Sequence, residues 1–291
     1  MKKILFIVNT ILEGKKEAGI AAIVNREIDK NNFYPEIFYS EYPGHTAEIA
    51  KTHINDFDII VAVGGDGTVN EVARSMIHTD KVLAIVPVGS GNGLARSLKI
   101  PLKVPEAVRL INEVHIKTID TGTINDLPFF HMAGIGFAAE VVQCYASLGN
   151  HGMAVYLKQV IRTFLNYKSS DYKVKINDTE YHDSFFLIDF ANVSQWGYNA
   201  HISPGADPFD GQLNVSMLSS FPKIIIPVLA LRLFLNNIHR SRYMQIKTCT
   251  EANVQNADET WGHIDGDPVR FEGNIRVSIK PASLKIISGI K

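Results

Sequence analysis

Two glycine-rich segments of this sequence are the ones best suited to holding a phosphate. The first is Val63-Gly64-Gly65-Asp66-Gly67-Thr68-Val69-Asn70-Glu71, placed after the apolar run Asp58–Val63 and before a helical pattern. Three glycines in four positions permit positive φ and close backbone approach. N–H groups at the start of a helix would then cradle an anion. Asp66 would repel a bare phosphate, so it is expected to act through Mg²⁺ or to take a proton from an attacking hydroxyl. A purely structural alternative makes Thr68 the helix N-cap and Glu71 its capping-box partner. That alternative accounts for Thr68 and Glu71 but not for Gly-Gly-Asp-Gly. The second segment, Pro87-Val88-Gly89-Ser90-Gly91-Asn92-Gly93-Leu94-Ala95-Arg96, also follows a buried run and is weak alone, because such turns are common. Side by side on one sheet, the two are a strong pair.

The elements that would position these loops alternate. Ile4–Val8, Glu36–Ser40, Asp58–Val63 and Val82–Val88 read as strands. Ala18–Ile28, Thr46–Ile54, Val69–Ile77 and Pro105–Val114 read as helices. This pattern predicts a parallel sheet with helices on both faces and ligands at the carboxyl ends of its strands. Past residue 116 the reading changes to strands over Lys117–Ile124, Phe129–Ala133, Asp171–Ile176, Ser184–Asn192, Gln212–Leu218, Met244–Thr250 and Asn274–Lys280. Helices over Met153–Tyr167 and Pro222–Ile238 interrupt them. The expectation is an α/β domain over 1–117, which residues 284–291 could complete, and an all-β sandwich with inserted helices over 118–283.

The two loops together resemble the catalytic signature of the diacylglycerol kinase and sphingosine kinase superfamily. The bacterial diacylglycerol kinase B and YegS types are the nearest in length and layout. Gly134-Ile135-Gly136-Phe137, Asp210-Gly211-Gln212-Leu213 and Asp265-Gly266-Asp267 fit the same resemblance. It implies a phosphofructokinase- or NAD kinase-like nucleotide domain followed by a β-sandwich, with ATP as co-substrate and Mg²⁺ as cofactor. Residue by residue, it implies nucleotide contacts at Asn9, Thr46, Gly64, Gly65, Asp66, Gly67, Thr68, Asn70, Glu71, Gly91 and Asn92. For Thr46 a plain helix N-cap is the competing reading. After Asn9 the chain departs from the family, reading Thr10-Ile11-Leu12-Glu13-Gly14-Lys15-Lys16. The resemblance assigns a proton acceptor to Asp265 or Asp267, where the family has Asp-Gly-Glu and where an Asp-Gly hairpin turn is the competing reading. It places a Mg²⁺ site at Asp207, Asp210 and the backbone of Gln212, suitable hard oxygen ligands.

Composition narrows the field. The 291 residues are 46% hydrophobic and 20% charged, which excludes a disordered chain. The net charge of −1 excludes a strongly basic nucleic-acid binder. Cys144 and Cys249 form no metal-binding or disulfide pattern. The apolar stretch Ile224–Leu235 is too short to span a bilayer, so a cytoplasmic protein is expected, with peripheral contact at the inner membrane face and a homodimer both left open. The reading is an ATP-dependent kinase of a lipid hydroxyl, diacylglycerol-like. The alternatives are an NAD kinase-type enzyme and a non-catalytic lipid- or nucleotide-binding homologue. The segment Lys223–Arg242 reads as a buried helix or as one lying on anionic lipid.

Overall fold

The computed structural model describes residues 1–10, 17–148, 153–255 and 259–290. The departure from the family pattern after Asn9 falls, apart from Thr10, on 11–16, outside the described residues. The chain forms two compact units, Met1–Ile119 with Ala282–Lys291, and Asp120–Pro281.

The first unit follows from its continuous apolar runs. β1 (Lys2–Val8), α1 (Glu17–Glu27), β2 (Phe33–Tyr39), α2 (His45–His53), β3 (Ile59–Gly64), α3 (Asp66–Ala73), β4 (Val82–Pro87), α4 (Gly93–Ser97) and α5 (Val104–Ile111) alternate along the chain. Every residue of β3 and β4 is buried, as expected of strands covered on both faces. α1 packs on α5 and α2 on α3. All strands run parallel in the order β2-β1-β3-β4, with Lys285 and Ile286 pairing beside β4. The final apolar stretch is therefore a strand, the end of a segment starting at Ile275. Because β1 lies between β2 and β3, the winding reverses there, and the carboxyl ends of β1 and β3 are where such sheets take their ligands.

The second unit is antiparallel. Its strands are β5 (Ile116–Ile124, beginning in the first unit), β6 (Leu127–Phe129), β7 (Met132–Gly136), β8 (Ser170–Ile176), β9 (Thr179–Ala191), β10 (Leu213–Ser219), β11 (Met244–Cys249), β12 (Glu251–Gln255), β13 (Thr260–Ile264), β14 (Asp267–Phe271) and β15 (Ile275–Ile287). The long β9 is central: its first half pairs β8, its second half pairs β7, and β10 lies along it. One core holds Phe129, Ile135, Val174, Ile188, Phe190 and Val277. A second, holding Met132, Leu187, Ile202 and Leu229, is closed by α6 (Phe137–Ala146), α7 (Met153–Asn166) and α8 (Ile226–Phe234). The sandwich with inserted helices is as expected, but details differ. β12, β13 and β14 are strands where the sequence analysis expects none. α6 is a third inserted helix. The continuous strand expected over Phe129–Ala133 breaks between β6 and β7. The helix expected over Pro222–Ile238 is a 3₁₀ turn at Lys223–Ile225, then α8, then a 3₁₀ turn at Ile238–Arg240. Pro227 sits in the first turn of α8, where a missing N–H costs nothing, and Asn236 at φ 54 stops it.

Candidate functional site

The carboxyl ends of β1, β3 and β4 gather the glycine loops and their partners. β3 runs into Gly65, whose extended backbone is the N-cap of α3, so Asp66 is the first helical residue and sits half-buried. Gly65 has no side chain to cap the helix, which leaves the first-turn N–H groups directed outward with the positive end of the dipole. The capping-box alternative is not realised, because Thr68 and Glu71 use their side chains elsewhere. Asn9, one residue past β1, donates from Nδ2 to Thr68 Oγ1 at 2.8 Å. Thr46 is buried inside α2, two residues past its N-cap Gly44, and its hydroxyl donates to Glu71. Thr46 is thus not a cap; it ties α2 to α3.

The second loop lies against the first. Val88 donates its N–H to Gly64 O at 3.0 Å. A Cβ on Gly89 would stand 2.4 Å from Gly65 Cα, so only glycine lets the two backbones meet. Asn92, left-handed at φ 50, turns its Nδ2 back onto Gly89 O at 2.7 Å and opens α4. Arg96 Nε donates to Gly91 O at 2.9 Å. Asn9, Thr46, Gly64 to Glu71, Gly91 and Asn92 therefore all belong to one loop cluster of the first unit. Gly89→Ala is expected to push the loops apart and to weaken the hold of the cluster on a phosphate-bearing ligand about tenfold or more, read by calorimetry, since backbone atoms cannot swing aside as a side chain can. Unchanged affinity would show that the contact of the loops does not shape the site.

The acidic candidates of the second unit have different surroundings. Asp265 and Gly266, both at positive φ (51 and 92), form the two-residue turn from β13 to β14. The Asp265 carboxylate is buried and accepts three backbone N–H groups: Phe130 on Oδ2, and His131 and Met132 on Oδ1, each at 2.9 Å. Those bonds hold the 130–131 backbone out of the ladder, at the break between β6 and β7. Asp267, the first residue of β14, is exposed. Asp207 Oδ1 accepts Phe209 N–H at 3.1 Å and Asp210 Oδ1 accepts Gln212 N–H at 2.9 Å, so this loop folds on its own carboxylates. Burial, helped by the charges of Asp207 and Asp120, raises the Asp210 carboxyl above the ordinary aspartate range. Among the described residues no three acidic, histidine or cysteine side chains converge as a metal cluster.

Residues that the sequence analysis did not single out join these groups. Asp120, buried in β5, accepts Gly211 N–H on Oδ2 at 2.7 Å and donates its own N–H to Pro208 O at 2.8 Å. Asn192 Nδ2 donates to both Asp120 O and Phe130 O, at 2.8 and 2.9 Å. A buried hydrogen-bond chain thus runs from the 207–211 loop through Asp120, Asn192 and Phe130 to Asp265. The signal in the sequence is an aspartate inside the buried run Ile119–Ile124. A second buried group pairs His263 Nε2 with Asp189 Oδ1 at 3.0 Å, with Trp196 Nε1 on Asp189 Oδ2 at 2.9 Å.

Comparison with known proteins agrees with this architecture. Residues 3–124 match the diacylglycerol kinase catalytic domain, and residues 132–288 match the YegS C-terminal NAD kinase beta sandwich-like domain. A "Probable lipid kinase YegS-like" of Pseudomonas aeruginosa is 29% identical over 79% of this chain and 76% of its own length. Another of that name, from Chromohalobacter salexigens, is 29% identical over 77% and 74%. A diacylglycerol kinase crystal structure from Bacillus anthracis shares the fold at TM-score 0.78, with 18% identity, over 99% of this chain and 97% of that one. An NAD kinase from Archaeoglobus fulgidus, crystallised in complex with ATP, shares it at 0.56 with 14% identity over 99% and 94%. The chain belongs to the YegS-type lipid kinase family, in which a diacylglycerol kinase catalytic domain precedes a YegS C-terminal domain.

Proposed function

We propose that this kinase uses ATP and Mg²⁺ to phosphorylate a hydroxyl of a diacylglycerol-like lipid, with the first unit as the nucleotide domain and the second as the lipid domain. The observation that carries the reading is the loop cluster itself: the start of α3, uncapped by any side chain, opens beside Asn9, Thr68 and the Gly89–Asn92 loop at the carboxyl ends of the strands. This donor set fits a nucleoside triphosphate, which needs N–H groups and amides held rigidly rather than covalent chemistry. Bound Mg²⁺ would offset the phosphate charge. Asp66, at the first position of α3, would hold such a cation or accept the lipid hydroxyl proton on a carboxylate oxygen. Asp267 is the other proposed acceptor. Asp265 is proposed to hold the turn that presents Asp267, because its oxygens are occupied by three N–H groups. The NAD kinase neighbour keeps NAD in play as acceptor. Incubation with γ-labelled ATP and, separately, diacylglycerol, a sphingoid base, phosphatidylglycerol and NAD is expected to label a lipid, diacylglycerol above the rest. Label in NAD alone would replace this reading with the NAD kinase one.

The 207–212 loop fits a second hard cation through two carboxylates and a backbone carbonyl. Raised above its unfolded value, the Asp210 carboxyl favours its protonated form in the fold. Its contribution to stability is therefore lost as pH rises from the ordinary aspartate range through the raised value, and a cation would restore it. Asp207→Asn with Asp210→Asn is expected to melt slightly higher than wild type at neutral pH without metal. It should also lose the Mg²⁺-dependent rise, worth about 2.7 kcal/mol at a hundredfold excess over Kd. Equal metal-induced shifts in the two proteins, measured without nucleotide, would remove the site.

A further inference from the structure

Charge is segregated along this nearly neutral chain. Residues 141–170 and 211–250 contain no aspartate or glutamate. The first stretch carries Lys158, Arg162 and Lys168; the second carries Lys223, Arg232, Arg240, Arg242 and Lys247. These same stretches hold α7 and α8, and both leave apolar stripes uncovered. On α7, Leu157, Ile161 and Leu165 repeat every four residues and are 55% to 61% exposed. Along the segment of α8, Ile224, Val228, Leu231 and Leu235 repeat at helical spacing and are 53% to 87% exposed.

The two stripes are neighbours. Lys223 Nζ donates to Leu165 O at 2.9 Å and stands 5.7 Å from the Phe164 ring centroid, joining the end of α7 to the entry of α8. At that junction a cavity of about 300 Å³ is walled by Phe164, Tyr167, Phe186 and Phe221 and lined also by Lys168 and Lys223. Phe186 reaches it because the pairing of β9 with β10 skips one residue there, a bulge that re-aims the side chain. Exposed apolar stripes of this extent mark an interaction surface. No helix among the described residues is long and apolar enough to cross a membrane, so these two would lie on a surface rather than span it. Self-association through the face is disfavoured, because a two-fold contact sets the same patch against itself, basic against basic.

We propose that the α7–α8 face docks on an anionic phospholipid bilayer. Its leucines, isoleucines and valine enter the interfacial layer, and its lysines and arginines hold the headgroups. The aromatic cavity with its two lysines would take one such headgroup. This deepens the lipid kinase reading by naming where the protein meets the bilayer, but vesicle binding is read without nucleotide, so each can fail alone.

The test is flotation of the purified protein with phosphatidylglycerol/phosphatidylcholine vesicles and with pure phosphatidylcholine vesicles. Wild type is expected to favour the anionic vesicles about tenfold or more, with the preference falling as salt rises. Ile161→Glu with Leu231→Glu should lose about tenfold in vesicle binding while melting as wild type and turning over a short-chain soluble lipid at the wild-type rate. Lys158→Glu with Arg240→Glu, both at exposed positions, should lose the anionic preference and decides the matter should the apolar variant misfold. Equal binding to both vesicle types, or wild-type binding by both variants, overturns the proposal. So does a wild-type dimer that the apolar variant splits while vesicle binding persists, which would make the face a self-interface.

Discussion

Asp66→Asn is expected to leave the fold intact and to lower the phosphoryl-transfer rate on the order of 10²-fold or more. The change is nearly isosteric, the side chain sits half-buried at the first position of α3, and the loop contacts through Gly65, Gly89 and Thr68 do not use its charge. Loss of a proton acceptor or of a cation ligand should appear in kcat with little change in the affinity for the lipid. The matching measurements are initial rates on a lipid acceptor and a melting curve. Near-normal turnover in the asparagine variant would make Asp66 a turn residue and shift the chemistry to Asp267.

The two aspartates of the late turn are expected to separate in the opposite way. Asp265→Ala removes a carboxylate that satisfies three backbone N–H groups, all buried. Each orphaned donor costs about 1–3 kcal/mol, so the loss is about 3 kcal/mol or more, a large share of the roughly 5–15 kcal/mol typical of a domain. At this size the melting temperature should fall on the order of 10 °C, and the hydrogen-bond chain through Phe130 and Asn192 should loosen with it. Asp267→Asn, at an exposed position, should melt as wild type and lose turnover. If the Asp265→Ala variant melts normally, the carboxylate does not pin the 130–132 turn. If the Asp267→Asn variant turns over normally, Asp267 is not the acceptor.

The sequence showed the first unit's strands plainly, because a parallel strand buried on both faces must be a continuous apolar run, as β1, β3 and β4 are. What it did not show was set by partners far along the chain. Thr68 and Glu71 look like a capping box in their own segment; only the fold brings Asn9 and Thr46 to them. The stretch Phe129–Ala133 has strand composition throughout, yet Asp265 takes three N–H groups from within it and splits it. β13 and β14 were missed because Thr260–Ile264 and Asp267–Phe271 are short, mixed in polarity and contain a glycine and a proline. α6 buries little beyond Ala139 and Val141 along its length, which leaves a faint helical signal. The partners of Asp120 and Asp189 lie in other strands and loops, so a single buried aspartate in an apolar run is the most the sequence could display.

Movement of the γ-phosphoryl group of ATP to a lipid hydroxyl is tested most directly by tracing the label. The purified protein is incubated with Mg²⁺, a total lipid extract and ATP labelled in either the α- or the γ-phosphate, in parallel. Label is expected in the organic phase from γ-labelled ATP only, lost on adding a chelator and lost in the Asp66→Asn variant. An organic phase without label, or label arriving from the α-phosphate, would refute the lipid kinase mechanism proposed for this chain.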